Sequence, residues 1–458
     1  MGSMPRRKRP LTTRYGAYLA RDVAPPDDEL TRVGPGTPCG EYLRRFWQPV
    51  AFARDLTDVP LRIRIMGEDL VVFRDKSGRV GLLQLHCSHR GTSLEYGLIS
   101  ERGIRCCYHG WMFGVDGRIL ETPGEPASST LKDRLCHGAY PVHEFCGLVF
   151  AYLGPPAKKP AFAVYDTFDL PGYTLMPAGK FALPCNWLQI KDNSMDPVHT
   201  SFLHAISSGY HFTEAFGALA ELDWEETPYG MMYIATRRLG DLVWVRVADF
   251  MAPNVHQFTR EIEEATEEKP ATRPVVIRWA VPIDDTHTWN MELAQVDPAW
   301  GLTAEQVGSP GFGQSDDRPY LERQRHPADY DAQSSQREIA VHALEHLAST
   351  DRGVIMLRRI VRDGIRAVQA GRDPKFLLRK PAPPIATCCQ DTVLRIPPEK
   401  DPEADAQRLR ETGRSVALGE SRNDSPPGGR GGSKERVTSA SLCPLPFSWR
   451  ERGESRAP

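Results

Sequence analysis

Cys87-Ser88-His89, sixteen residues, then Cys106-Cys107-Tyr108-His109-Gly110-Trp111: two short loops of similar build, each with cysteine and histidine. A zinc finger of the Cys2His2 type has its two cysteines in one loop and its two histidines on one helix. Here each loop carries one of each, so the stretch reads as two matching half-sites rather than a finger.

A mixed site of this kind suits a Rieske [2Fe–2S] centre, in which two imidazoles replace two thiolates on one iron and raise the potential. Cys87, His89 and His109 are three of the four candidate ligands. The fourth is ambiguous on chemistry alone. Cys106 makes the second loop Cys-x-x-His, whereas Cys107 makes it Cys-x-His, a copy of the first. His86 adjoins Cys87 but points elsewhere in an extended loop and reads as structural.

The chain has 458 residues, enough for two or three domains. It is 40% hydrophobic and 25% charged, an ordinary globular balance. A formal charge of −2 argues against a nucleic-acid binder. Its ten cysteines are irregularly spaced, unlike a disulfide framework, and a thiolate-held cluster favours a reducing compartment. No apolar run is long enough to span a bilayer. The basic run Arg6-Arg7-Lys8-Arg9 precedes no apolar segment, so it is not a secretory signal. Met1-Gly2 resembles a myristoylation start only superficially, because Arg6 stands where Ser or Thr is wanted. Cytoplasmic location is the default expectation.

Residues 1–30 read as an arm. From 31 to 158 the pattern is all-β, with strands over Leu61–Ile65, Asp69–Arg74 and Leu148–Leu153 and a hairpin turn at Gly114-Val115-Asp116-Gly117. The Pro-rich stretch from Gly154 to Pro160 marks a boundary. Residues 159–400 read as α+β, an antiparallel sheet with helices segregated to one side. Strands are expected over Met231–Arg237, Leu242–Phe250, Val275–Val281 and Trp289–Gln295, and helices over Asn186–Gly209, Tyr330–Leu347 and Asp351–Ala370. Residues 401–458 lose periodicity and read as a disordered tail.

The second constellation is Asn193-Ser194-Met195-Asp196-Pro197-Val198-His199, with His204 five residues on. Two histidines and one more carboxylate form the 2-His-1-carboxylate triad that holds iron(II) and leaves a face open. Five residues turn an ideal helix through about 140°, so His199 and His204 do not share a face cleanly. A π-bulge, or a helix ending near His204, would bring them together. Asp196 can cap a helix with Pro197 at its first position. Alternatively it bridges a cluster imidazole to an iron imidazole. His211 and His256 read as packed or exposed.

Cys-x-His, then Cys-x-x-His-Gly-Trp, then Asp-x-x-His-x4-His is similar to the terminal oxygenase α subunits of Rieske non-heme iron oxygenases. Asn186-Trp187-Leu188-Gln189 and Ser201-Phe202-Leu203-His204 resemble the phthalate 4,5-dioxygenase-like branch most. The resemblance covers about Gly36 to Pro397. It favours Cys106 over Cys107, where the family usually has proline. It implies a Rieske domain followed by a helix-grip catalytic domain with mononuclear non-heme Fe(II). It also implies dioxygen as co-substrate, electrons from NAD(P)H through a separate reductase or a ferredoxin plus reductase, and a ring of subunits, most simply a trimer.

The family's third iron ligand opens a helix in the pattern Asp-x-x-x-Gln-x-Ser. Asp329, Gln333 and Ser335 fit that register, with Asp331 as rival. Arg337-Glu338 departs from the Gly-Pro common in this branch. The implied reaction is hydroxylation or dihydroxylation of an aromatic compound, with aromatic carboxylates among the candidates. O- or N-demethylation is the alternative on the same scaffold. A non-catalytic electron carrier or a ligand-binding protein without the iron is the alternative of another class. Arg246 and Arg278 could meet a substrate carboxylate, although a solvent-facing position is the plainer expectation.

Overall fold

The structure, a computed structural model, describes residues 11–19, 24–208, 213–259, 265–308 and 314–419. His211 and the stretch from 420 to 458 lie outside the described residues.

The cluster motif sits on a small antiparallel sheet of Leu98–Ser100, Gly103–Arg105, Met112–Phe113 and Ile119–Glu121. Behind it stands a second sheet of Leu61–Ile65, Glu68–Arg74, Val80–Gln84 and Ala139–Tyr140. The two-residue period of the strands sends Val71, Phe73 and Leu83 into one core with Cys87 and Cys106, and Leu70, Val72 and Leu82 into another. A third sheet pairs Trp47–Phe52 with Leu148–Tyr152, and the latter with Val142–Phe145.

The other major element is a nine-stranded antiparallel sheet. Its main path runs Thr174–Leu183, Thr288–Val296, Val275–Pro282, Val255–Thr259, Leu242–Met251, Gly230–Leu239, Glu221–Thr227. Gln390–Arg395 joins beside Leu242–Met251 and pairs with Lys269–Thr272. One face of this sheet is covered by the helix Trp187–Ser194 and by the long helix Arg352–Gln369. Val354, Leu357, Val361, Ile365 and Val368 are buried along one stripe of the latter, as the 3.6-residue period requires. One continuous core joins Leu43, Phe52 and Phe150 to Trp279, Met291 and Leu357. The α+β arrangement, with an all-β cluster region and a helix-covered catalytic sheet, is therefore present.

Three expectations are corrected. The arm does not extend to residue 30: Asp28–Thr31 is a short helix, Leu30 is fully buried, and its carbonyl accepts Trp187 Nε1–H at 3.1 Å. Asp27 and Glu29 there pair with Arg362.

The expected helix Tyr330–Leu347 ends at Ser334. Beyond it, Arg337 adopts φ +84°, a left-handed conformation that glycine takes at no steric cost. The helical hydrogen bonds are replaced by tertiary ones: Gln189 Nε2 donates to Arg337 O at 3.0 Å, and Asn186 N to Glu338 O at 2.8 Å.

The tail is not disordered from 401. Pro402–Leu418 is a helix, capped by Asp401 accepting from Ala404 N at 3.0 Å and stopped by Gly419 at φ +75°. Leu409, Val416 and Ala417 bury against Met232, Ile234 and Val243, on the sheet face away from the helix Trp187–Ser194. Composition favoured disorder because the helix is polar on most of its surface. The narrow apolar stripe acquires its partner only when the sheet presents its back.

Candidate metal centres

The two cluster loops are built alike. In the first, Cys87 N donates to Thr92 O at 2.9 Å and Gly91 N to Cys87 O at 2.8 Å. In the second, Cys106 N donates to Trp111 O at 2.8 Å and Gly110 N to Cys106 O at 3.1 Å. Gly91 and Gly110 both turn the chain with positive φ, +77° and +71°. The backbone register therefore makes Cys106 the counterpart of Cys87, and the two loops differ only in where the histidine follows. Cys87 and Cys106 are buried with their thiols facing each other, and Cys107 is exposed. The His89 and His109 rings lie edge to face at 4.6 Å between centroids. His89 stacks on Trp111 at 4.6 Å and 5°. His86 Nδ1 bonds Gly91 O at 3.1 Å, bracing the first loop from outside.

Burial pushes the Cys87 thiol up to about 11. Two adjacent buried thiolates need a cation to offset their charge. Two inner thiols under two outer imidazoles suit a [2Fe–2S] group with one thiolate-bound and one imidazole-bound iron.

The second centre depends on an irregular helix. The helix opening at Trp187 is capped by Asn186, whose Oδ1 accepts Leu188 N–H at 3.1 Å, and ends at Ser194. After Pro197 the chain resumes as a π-helix over Thr200–Ser207. That wider turn brings the His199 and His204 rings to 5.2 Å, which an α-helix would hold apart. Asp329, first residue of the helix Asp329–Ser334, meets them from the far side. Its Oδ1 lies 3.3 Å from His204 Nε2 and 3.9 Å from His199 Nε2. One ligand atom from each of the three residues falls within 4.8 Å of the others. His204 is buried, and burial lowers the His199 imidazole below its usual range, keeping it neutral with a lone pair to donate.

Asp331 is not at this site. It accepts from Arg323 Nε at 2.6 Å and Arg318 Nη2 at 3.2 Å, and caps its own helix through Ala328 N. Asp196 plays two local parts. Its backbone carbonyl accepts His199 Nδ1–H, which turns Nε2 toward Asp329. Its carboxylate accepts Val198 N–H at 2.9 Å and lies 3.8 Å from His199 Nδ1, partly exposed.

Two positioning residues escaped sequence reading. Gln314 Nε2 donates to Asp329 Oδ2 at 2.9 Å, and Asn193 Nδ2 lies 3.4 Å from Asp329 Oδ1. Asn193 stood inside the motif already quoted, but nothing near Gln314 marks it.

Arg246 and Arg278 do not face solvent. Arg246 is buried and its Nη1 donates to Asp391 at 3.1 Å, while Arg278 Nε donates to Glu292. His256 is buried, and its Nδ1 lies 2.7 Å from Lys191 Nζ.

Residues 46–136 match the Rieske [2Fe-2S] domain family. The oxygenase subunit of the tert-butanol monooxygenase / tert-amyl alcohol desaturase of Aquincola tertiaricarbonis is 42% identical over 433 residues, covering 88% of this chain and 91% of that protein. Phenoxybenzoate dioxygenase subunit alpha of Ectopseudomonas oleovorans is 40% identical over 364 residues, 76% of this chain and 87% of that one. The oxygenase subunit of phthalate 4,5-dioxygenase of Pseudomonas putida is 33% identical over 390 residues, 75% and 86%. Among solved structures, the NdmA QL mutant of Pseudomonas putida CBB5 with caffeine aligns at a TM-score of 0.55 and 19% identity, over 73% of this chain and 94% of that chain, a likeness of fold.

The chain belongs to the oxygenase α subunits of the Rieske non-heme iron oxygenases. It is an oxidoreductase of the mono- and dioxygenase kind, with a Rieske cluster and a mononuclear iron, supplied with electrons by a reductase. Among the described residues no helix is long and apolar enough to cross a membrane.

Proposed function

We propose that this subunit hydroxylates or dihydroxylates an aromatic substrate with dioxygen. In this reading Cys87, His89, Cys106 and His109 hold the cluster, and His199, His204 and Asp329 hold the mononuclear iron. Asp196 links the two centres between neighbouring subunits of a cytoplasmic trimer. Residues 31–158 form the cluster domain and 159–400 the catalytic domain, to which we add the helix through Leu418.

The observation that carries the reading is the meeting of His204 and Asp329 at 3.3 Å beside His199. A purely electron-carrying protein needs no such triad. The iron supplies oxygen activation and the cluster supplies electrons. The chain's own residues fix the imidazole tautomer through Asp196 O and orient the carboxylate through Gln314.

Demethylation is a second reading, favoured by 32% identity to the oxygenase subunit of 5,5'-dehydrodivanillate O-demethylase. An aromatic carboxylate as substrate is less well supported, because Arg246 and Arg278 already carry Asp391 and Glu292. Tertiary alcohols belong in the substrate panel, given the tert-butanol monooxygenase relative.

The test is iron content and oxygen uptake. The ligand count leads to about three irons per chain. Uptake with a matching reductase should depend on an aromatic or alcohol substrate. Two irons per chain and no substrate-dependent uptake would leave a carrier.

A further inference from the structure

The inner face of the large sheet carries three polar pairs. His256 lies across from Arg278, which lies across from Glu292. The Arg278–Glu292 and Arg246–Asp391 pairs cancel their charges internally. The third pair is of another kind. Lys191, on the helix Trp187–Ser194, is fully buried, and its Nζ lies 2.7 Å from His256 Nδ1.

Two residues along the same helix, Asn193 approaches the Asp329 carboxylate, and the field of that carboxylate reaches His256. The pair is thus beside the iron triad, between helix and sheet. With Lys191 Nζ as the donor, Nδ1 is the accepting nitrogen and Nε2 carries the ring proton. Among the described residues that Nε2–H has no hydrogen-bond partner. The ring itself is held flat against Phe258 at 5.2 Å and 22°.

A buried lysine whose only side-chain partner among the described residues is one histidine is costly unless the arrangement serves something. We propose that His256, oriented by Lys191, is a specificity-determining residue of the oxygenase site. Its Nε2–H donates to an uncharged oxygen of the substrate, a hydroxyl, ether or carbonyl, and so sets which carbon faces the triad.

The inference rests on the oxygenase reading. An uncharged oxygen is specified because the neighbouring arginines are already neutralised, so a carboxylate would bring an unpaired charge into the interior. Burial also disfavours the charged forms of both Lys191 and His256.

The experiment uses the iron-loaded full chain and matched probes: anisole, its oxygen-free counterpart ethylbenzene, tert-butanol and benzoate. Calorimetric affinity is measured first, then oxygen uptake with a reductase. Wild type should bind anisole about tenfold more tightly than ethylbenzene, the worth of one hydrogen bond. H256L should erase that ratio, H256Q, which keeps an N–H, should restore part of it, and K191M should weaken it.

Iron content and unfolding temperature are followed for each variant; should H256L not fold, H256Q and K191M carry the test. Equal wild-type affinities overturn the proposal. So do failure of both anisole and tert-butanol to bind, a ratio unchanged across the variants, or preference for benzoate. Binding that follows His256 with no oxygen uptake for any probe would instead overturn the oxygenase reading and leave the recognition role standing.

Discussion

His204 Nε2 lies 3.3 Å from Asp329 Oδ1, although one residue closes a π-helix turn and the other opens a separate helix. Two groups that far apart in the chain are brought together by the fold at the cost of a buried carboxylate. Gln314 and Asn193 offset part of that cost by hydrogen bonding. A divalent cation would offset the rest.

Removing the carboxylate should therefore empty the site selectively. Asp329→Ala should lose mononuclear iron by elemental analysis while the visible absorption of the cluster persists. Asp331→Ala should keep the iron and lose about 1–3 kcal/mol in denaturant unfolding, since it releases Arg318 and Arg323. Iron loss in Asp331→Ala with retention in Asp329→Ala would put the third ligand two residues on.

The matched loops make a contrast of adjacent cysteines. Cys106→Ser should abolish the cluster's visible and paramagnetic signature. Cys107→Ser should leave it unchanged, because that side chain is exposed outside the pair. The reverse result would mean that the second loop rearranges on binding the cluster.

The Asp196 carboxylate approaches His199 Nδ1 through one oxygen and accepts Val198 N–H through the other, and its partial exposure leaves lone pairs accessible to a neighbour. Asp196→Asn should retain both metals and slow turnover sharply, by an order of magnitude or more. Subunit mixing probes the route. Cys106→Ser and His199→Ala chains, each inactive alone, should regain partial activity when co-expressed, because in the proposed head-to-tail ring one chain's cluster would serve the next chain's iron. Mixed rings verified by differential tags and lacking activity would place electron transfer within a single chain.

The helix Pro402–Leu418 covers an apolar strip on the back of the sheet. Leu409→Ala should cost about 2–4 kcal/mol in chemical unfolding. A chain ending at Lys400 should expose Met232, Ile234 and Val243 and lose solubility, whatever its iron content. Unaltered stability in both would show that the helix is dispensable to the core.

Candidate residues for both metal centres could be read in the chain, though not equally. The cluster motif is local: its four candidate ligands sit in two hairpin loops, and spacing alone separates it from a zinc finger. The Asp-x-x-His-x4-His run was legible as residue types, and the need for a wider turn followed from helix geometry. What the sequence could not decide were relationships between distant segments. Asp329 and Asp331 differ only in where a helix end points, and that direction is set by Arg318 and Arg323 on a neighbouring segment. Arg246, Arg278 and His256 read as ordinary strand residues because their partners, Asp391, Glu292 and Lys191, come from other strands and a helix. The helix expected past Ser334 failed because Gln189 and Asn186 claim the backbone that would have closed its turns. Local patterning fixes which residues can bind a metal or enter a core. Which of them do so depends on the sheet's register and on which face each helix covers, interactions that exist only once the chain has folded.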